Sequence, residues 1–329
     1  MPAHDSRMPM QNLSAECTYR VRSQDELNGL ALDLIQTLQQ SYEPGRDRVI
    51  TPQNVYQPGR ETGRNALEAF MEQVLAPGSG VEGVEHLDRC LAELAAGRSV
   101  IFLPEHRGNL DVPSFSVLLR RSYPRAREIQ ERLIYIAGRK LNESSELVKM
   151  FSEKYSRLVI VPRRDFPPER PDASPEEQRQ REEFIQSAAR INRAAFRELV
   201  RLRRRGHIFV LFPLGGRLKP GADNRPVPET TTYLRSFDTA YLISMEGNTL
   251  PPGERMEDER PIQDKVIFRM GRPLDTAAFL AAEKAHIEAD QRAGRLPADA
   301  NPDQVTVERI MVMLEHLRLH GDYGPTVSV

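Results

Sequence analysis

The sequence predicts an α/β fold: a mixed, mainly parallel sheet flanked by helices, with a small N-terminal helical domain in front of it. Two observations support this prediction. The chain reads as helical up to about Gly97, and beyond that point short β-branched runs alternate with helical stretches. Such alternation is typical of a domain built around a parallel or mixed sheet. We therefore divide the chain into a helical region, residues 1–84, and an α/β domain, residues 85–329.

Three helices are predicted in the N-terminal part, behind a loose tail over residues 1–13. The second helix covers residues 61–75 and the third residues 84–96, and Pro or Gly residues follow both. The first helix is marked by leucines at three- and four-residue steps, as a buried helix face requires: Leu27, Leu30, Leu34 and Leu38.

Six strands and six helices are predicted in the α/β part. The strands lie at residues 100–104, 132–137, 158–161, 207–212, 240–245 and 265–270. The helices lie at residues 113–121, 146–154, 177–205, 230–237, 276–293 and 302–319. A stretch rich in proline and charge, residues 163–183, predicts a surface loop before the long helix. Because ligands of such sheets bind beyond the carboxyl ends of the strands, we expect the chemistry there.

Composition restricts the classes of function. The net charge is −1, so no global field attracts nucleic acid or anionic lipid, and any basic site must be local. Cys17 and Cys90 are too few for a disulfide framework or a cysteine-based metal site. The N-terminus has no apolar core typical of a secretory signal, and no apolar run approaches the roughly 18 residues of a spanning helix. We expect a cytoplasmic protein that contacts membranes at most peripherally and needs no metal.

The segment IFLPEHRGNLDVP, residues 101–113, is the first candidate for chemistry. An apolar strand runs into His106, and Asp111 follows five residues later. A neutral imidazole is a suitable base near pH 7 because its unperturbed pKa is about 6.5, and a carboxylate fixes its tautomer and stabilises the imidazolium. Such a pair can take a proton from an alcohol. Two alternatives stay open: His106 as an ordinary loop histidine, and Asp111 as the cap of a helix with Pro113 in its first turn.

Basic residues follow three of the predicted strands. Arginine donates in a planar fork that matches phosphate, and lysine adds a compact charge. Gly215-Gly216 allows close backbone approach and offers free N–H groups. The sequence therefore predicts a pocket for a phosphate monoester beside His106. The basic residues at these strand ends are Arg139, Lys140, Arg163, Arg164, Arg217 and Lys219.

A further basic stretch, residues 201–205, lies in the last turn of the long predicted helix. Cations at that position complement the helix dipole. Because no aromatic residues are interleaved, we favour a solvated helix end over a nucleic-acid site. Lipid headgroups or an acidic carrier protein are the functional alternative.

Taken together and in this order, these blocks resemble the motifs of the glycerolipid acyltransferase superfamily. The first motif of that superfamily, His-x-x-x-x-Asp, matches residues 106–111, and its third motif matches residues 209–217. Within the superfamily, the chain is most similar to the soluble glycerol-3-phosphate acyltransferases of the plastid-stromal type, over roughly residues 85–250. The blocks that carry this similarity are Ala137-Gly138-Arg139, Arg163-Arg164 and Gly215-Gly216-Arg217-Leu218-Lys219-Pro220.

The resemblance implies a reaction: transfer of a fatty acyl group from a thioester, acyl carrier protein or CoA, to the sn-1 hydroxyl of glycerol 3-phosphate. This is the first step of phospholipid synthesis and needs no cofactor. His106 would be the general base and Asp111 would orient it. Backbone N–H groups around Gly108 and Asn109 are candidates to stabilise the oxyanion. The six strand-end basic residues and the backbone of Gly215 and Gly216 would hold the acceptor phosphate.

Two other functions fit the same motifs. One is acylation of 1-acylglycerol 3-phosphate (lysophosphatidate) at its second hydroxyl. A mean hydropathy of −0.53 and the lack of spanning segments favour the smaller, soluble acceptor over this amphiphile. The other is a non-catalytic module that binds a phospholipid or an acyl carrier. The intact pair of His106 and Asp111 argues against the second of these functions.

Overall fold

The computed structural model describes residues 19–40, 42, 49–143, 146–218, 221, 224–253 and 258–324. Its elements in chain order are α1 (Gln24–Gln40), β1 (Tyr56–Gln57), α2 (Arg64–Val74), β2 (Gly80–Glu82), α3 (Glu85–Ala95), β3 (Val100–Pro104), α4 (Asp111–Ser122), α5 (Ala126–Gln130), β4 (Leu133–Gly138), α6 (Lys140–Glu143), α7 (Glu146–Ser152), β5 (Arg157–Ile160), a 3₁₀ turn (Arg163–Asp165), α8 (Pro175–Arg203), β6 (Ile208–Val210), α9 (Thr230–Leu234), β7 (Thr239–Glu246), β8 (Ile267–Met270), β9 (Leu274–Asp275), α10 (Thr276–Arg292) and α11 (Pro302–His320).

The strands form one mixed sheet in the order β1-β5-β4-β6-β3-β7-β8-β2, with β9 paired to β7. The five central strands, β5, β4, β6, β3 and β7, are parallel to one another. Strands β1, β8 and β9 run antiparallel to the neighbours that they join, and β2 is parallel to β8. The predicted fold class, a mixed and mainly parallel sheet with flanking helices, is confirmed.

Helices cover both faces of the sheet, which explains why the central strands are apolar throughout. All five residues of β3 are buried. Because successive side chains of a strand point to opposite faces, Phe102 joins the core under α1–α5, whereas Ile101 and Leu103 join the core under α8–α11. A strand buried on both faces shows a continuous apolar run rather than alternation, as β3 does.

Helices α1 and α2 lie within residues 1–84 and α3 begins directly after them, but this N-terminal region is not purely helical. Within residues 1–84, β1 pairs with β5 and β2 pairs with β8, so both strands belong to the sheet. Runs of two and three residues are too short to show strand periodicity in a sequence. Leu38 and Leu67 are fully buried in the same core as Phe102. The division at residue 84 stays a prediction, although the described residues on its two sides share one core. The predicted tail, residues 1–13, lies outside the described residues.

Asp238 connects the starts of two central strands and gives a test of stability against pH. Its carboxylate accepts hydrogen bonds from the backbone N–H (2.8 Å) and the hydroxyl (2.6 Å) of Ser99, immediately before β3. These donors hold the pKa of Asp238 below its ordinary value of 3.8. A carboxyl with a lowered native pKa stabilises the fold above its unfolded pKa, and this contribution is lost as the pH falls through the native pKa.

We therefore expect Asp238→Asn to lower the free energy of unfolding by about 1 kcal/mol near neutral pH. The difference from the wild type should shrink as the pH falls below 3.8. Urea unfolding at about pH 7 and about pH 3 measures both quantities. An equal difference at the two pH values would contradict the proposed role of the carboxylate charge.

Candidate active site

The parallel strands place their carboxyl ends at one edge of the sheet, and the predicted site residues follow those ends. His106 comes two residues after β3, and the segment containing Gly215 and Arg217 follows β6. The two segments touch, since the backbone N–H of Leu218 donates to the carbonyl oxygen of His106 at 2.7 Å. The topology therefore brings together segments that are more than a hundred residues apart in the chain.

His106 and Asp111 form a hydrogen-bonded pair. Nδ1 of His106 lies 2.8 Å from Oδ2 of Asp111, and the side chains are 19% and 4% exposed. The same carboxylate oxygen accepts the backbone N–H groups of Arg107 (2.6 Å) and Gly108 (2.9 Å). Since a carboxylate only accepts, Nδ1 carries the proton and donates it, which leaves the lone pair of Nε2 as the basic position.

Asp111 is the first residue of α4, but its carboxylate does not cap that helix. The side chain turns back to the loop over residues 106–108 instead, so the helix-cap alternative is wrong. One further prediction is corrected here. The N–H of Gly108, a candidate oxyanion donor, already donates to Asp111. A hydrogen occupied by a buried carboxylate is not available to a developing oxyanion.

Asn248, just after β7, supports the loop that carries His106, the candidate base (residues 106–111, the base loop). Its Nδ2 donates to the carbonyl oxygen of Arg107 at 2.9 Å. A Cβ atom at residue 108 would lie 2.4 Å from Oδ1 of Asn248 and 2.9 Å from the carbonyl oxygen of Leu250. Only glycine allows this close approach, so Gly108 is required by the packing of the base loop against Asn248.

Phe212 stacks on the histidine and lines two cavities. Its ring stacks on that of His106, with centroids 4.2 Å apart and planes 23° apart. Phe212 lines both a wide cavity of about 1110 Å³ and a narrow one of about 20 Å³. Phe212 therefore links the imidazole to two cavities of different size and chemistry.

Most of the residues predicted to bind phosphate line the wide cavity. Arg163 and Arg164 are exposed at its wall, and Arg164 donates to the carbonyl oxygens of Leu214 and Gly215. Arg225 contributes a further guanidinium that was not predicted. The predicted residues that line this cavity are Arg163, Arg164, Gly215, Gly216 and Arg217.

Two predicted basic residues do not line either cavity. Arg139 pairs with Glu143 at 2.8 Å, and its guanidinium lies 4.9 Å from the centroid of the Phe184 ring. Lys140, whose side chain is 67% exposed, pairs with Asp165 at 2.8 Å. A sequence shows that cations follow β4, but not that acidic partners on neighbouring elements hold them. Lys219, the sixth predicted residue, lies outside the described residues.

Arg217 is held by a carboxylate that sequence reasoning missed. Its Nη1 lies 2.5 Å from Oε1 of Glu259, and Oε2 of Glu259 accepts from Nδ2 of Asn109 at 3.0 Å. The Glu259 side chain is 2% exposed. Glu259 has no sequence signal because it belongs to no motif and no periodic element. Asn248 did have one: it is a polar residue directly after a strand, the same signal that marked the basic residues.

The narrow cavity lies between α4 and the sheet and is largely apolar. Val112 and Phe115 of α4 face Phe102 and Phe268 across it. Glu105 and Asp111 are its acidic lining residues, and Asp111 connects it to the histidine. Burial raises the pKa of Glu105 above its ordinary value, against the opposing effect of a hydrogen bond from the N–H of Met245.

The basic stretch over residues 201–205 lies at the opposite edge of the sheet. It ends α8 directly before β6, and therefore sits at the amino ends of the parallel strands. Arg201 pairs with Glu198, and Arg203 donates to the carbonyl oxygen of Ser236. These contacts agree with the interpretation of a solvated helix end, far from the candidate site.

No protein-family model and no curated protein matches this chain. Among solved structures, it is similar to the 1-acyl-sn-glycerophosphate (LPA) acyltransferase PlsC from Thermotoga maritima, with a TM-score of 0.44 and 14% identity over 90% of this chain and 94% of that one. A similarity this low carries no functional assignment. In the described ranges, no helix is long and apolar enough to cross a membrane, and no group of three or more His, Cys, Asp or Glu residues is arranged to hold a metal.

Proposed function

We propose that this protein is an acyltransferase that moves a fatty acyl group from a thioester to the sn-1 hydroxyl of glycerol 3-phosphate. The observation that carries the proposal is the stacking of His106, the hydrogen-bond partner of Asp111, on Phe212, which lines the same cavity as the arginines. The pair supplies a base for a hydroxyl, and the arginines supply cations for a phosphate. Acyl carrier protein or CoA would carry the acyl group.

The reaction balances without a cofactor. Nε2 of His106 takes the proton of the acceptor hydroxyl while the oxygen attacks the thioester carbonyl carbon. The tetrahedral intermediate then collapses, the C–S bond breaks, and the thiolate receives the proton from the imidazolium. Asp111 stabilises the imidazolium between these two steps. General base catalysis of this kind contributes about 10²–10⁴-fold to the rate.

The arginines act on the acceptor by position. A phosphate held by Arg217 and the exposed Arg163 would place the hydroxyls of a glycerol phosphate next to the imidazole. Such positioning raises the rate of reaction strongly. The acceptor loses its translational and rotational entropy when it binds, so this entropy no longer adds to the barrier of the chemical step. Arg164 keeps the backbone of the phosphate segment in place through its bonds to Leu214 and Gly215.

An acyl chain would enter the narrow cavity, which shares Phe212 with the wide one. Its apolar lining suits an alkyl chain, and its position beside Asp111 would bring the thioester carbon near His106. Burial of an alkyl chain stabilises the complex by about 0.8 kcal/mol for each methylene group. Opening of the space between α4 and the sheet would be needed, since the cavity holds only about 20 Å³ in this structure.

One observation favours a second acceptor, 1-acylglycerol 3-phosphate. The wide cavity, at about 1110 Å³, exceeds the usual range of small-molecule sites, roughly 300–1000 Å³. Glycerol 3-phosphate would occupy only a small part of it. Apolar residues such as Ile136, Val161 and Leu211 share the lining with the arginines, which suits an amphiphilic phosphate ester.

Thiol release by the purified protein tests the proposal. Acyl-CoA and acyl-acyl carrier protein are supplied in turn, each with glycerol 3-phosphate, with 1-acylglycerol 3-phosphate and without an acceptor. We expect acceptor-dependent release of thiol with glycerol 3-phosphate. Release only with the lysophospholipid would favour the second acceptor. Binding of either acceptor without any thiol release would support a non-catalytic module and contradict the proposed enzyme.

A further inference from the structure

Glu259 lies in the connection between β7 and β8 and joins the two halves of the candidate site. One carboxylate oxygen accepts from Arg217, on the phosphate side, and the other accepts from Asn109, on the loop between His106 and Asp111. The side chain is 2% exposed, whereas that of Arg217 is 15% exposed and reaches the wall of the wide cavity. A single buried group therefore contacts both the cation and the loop of the base.

The same connection holds the base loop at a second point. Asn248 donates to the carbonyl oxygen of Arg107 and packs against Gly108. Its own backbone N–H donates to Asp264, at the other end of the connection, at 2.7 Å. Asn248 thus ties the start of the β7–β8 connection both to the base loop and to Asp264 at its end. These contacts restrict the position of the connection to which Glu259 belongs.

We propose that Glu259 is a positioning residue that sets the distance between the phosphate-binding guanidinium of Arg217 and the base, His106. Through this distance it selects which hydroxyl of the acceptor is acylated. The inference rests on the proposed function. A glycerol 3-phosphate molecule carries two hydroxyls at different distances from its phosphate, and a fixed separation of cation and base brings only one of them to Nε2 of His106.

The chemistry of the carboxylate supplies a sharp test. A carboxylate presents two acceptors, but an amide presents one acceptor and one donor. In Glu259→Gln, either Arg217 or Asn109 must therefore face an N–H group. Asn109→Asp alone places two carboxylates together. The double variant Asn109→Asp with Glu259→Gln restores complementarity, because the amide oxygen accepts from Arg217 and the amide N–H donates to Asp.

The experiment measures kcat and the ratio of 1-acyl to 2-acyl product, with glycerol 3-phosphate as acceptor and reactions quenched early. We expect Glu259→Gln to lower kcat by about 10- to 100-fold, the cost of a misplacement of about 1 Å, and to raise the share of the minor product. The double variant should recover most of both. Because the product ratio does not depend on the folded fraction, a purely structural role would leave it unchanged. A wild type that accepts only 1-acylglycerol 3-phosphate, which has one free hydroxyl, would overturn the inferred selection between hydroxyls together with the proposed acceptor.

Glu131→Gln, which removes an exposed partner of Arg127, is the matched control and should change neither quantity. An active wild type whose Glu259→Gln variant keeps both its rate and its product ratio would overturn this inference alone. So would a loss of rate that the double variant does not recover. A wild type that releases no thiol with either acceptor would instead overturn the proposed function, which separates the two failures.

Discussion

Replacing His106 with alanine should lower kcat for acyl transfer by about 10²–10⁴-fold while the protein remains folded. The side chain is partly exposed and stacks on Phe212, so its removal leaves the core intact. The variant lacks Nε2, the atom that we propose takes the proton from the acceptor hydroxyl. Steady-state thiol release measures the rate, and thermal unfolding checks the fold.

Asp111→Asn separates the two members of the pair. The amide keeps the shape of the carboxylate but removes the charge that stabilises the imidazolium, so kcat should fall as well. His286→Ala, which removes a half-exposed histidine of α10, is the matched control and should keep full activity. Full activity of His106→Ala would show that the proposed mechanism is wrong.

Replacing Arg217 with alanine should raise the KM for the phosphate-bearing acceptor by about 10- to 100-fold, and should also lower kcat because the acceptor hydroxyl is no longer positioned at His106. The expected size follows from the loss of hydrogen bonds between charged groups, about 1.5–3 kcal/mol. The variant also leaves the buried carboxylate of Glu259 without its cation, which is destabilising. Initial rates over a range of acceptor concentrations measure KM and kcat separately.

The double variant Arg217→Ala with Glu259→Gln removes that uncompensated charge and should recover stability but not KM. Arg204→Ala, at the opposite edge of the sheet, removes an exposed arginine of the basic stretch and should leave KM unchanged. An unchanged KM for Arg217→Ala would exclude this guanidinium from the phosphate site.

The fold could be predicted because local patterns carry most of its information. The continuous apolar run of β3 and the leucine spacing of α1 each reflect burial of one element. Strand β3 forms at its predicted residues, and α1 contains the four predicted leucines. Strands β1 and β2 escaped prediction because their two and three residues are stabilised by pairing with β5 and β8 rather than by their own composition.

The site residues likewise divide into those set by local geometry and those set by tertiary contacts. The pair of His106 and Asp111 could be predicted because both residues lie on one short loop, whose reach is limited by five peptide units. The sequence located the cations that follow β4. Their availability to a ligand depends on Glu143 and Asp165, which pair with Arg139 and Lys140 in the folded chain. Spacing along a sequence says where a charge is, and not whether another charge already satisfies it.

The sequence by itself therefore determined the mainly parallel sheet, the edge at which its strands end and the residues of the base loop. These features depend on burial and on short-range geometry. Only the tertiary structure decided that Glu259, about 150 residues beyond Asn109, bridges that residue to Arg217. The physical reason is that a buried carboxylate is placed by packing between distant segments, and its hydrogen-bond partners cannot be known until the chain has folded around it.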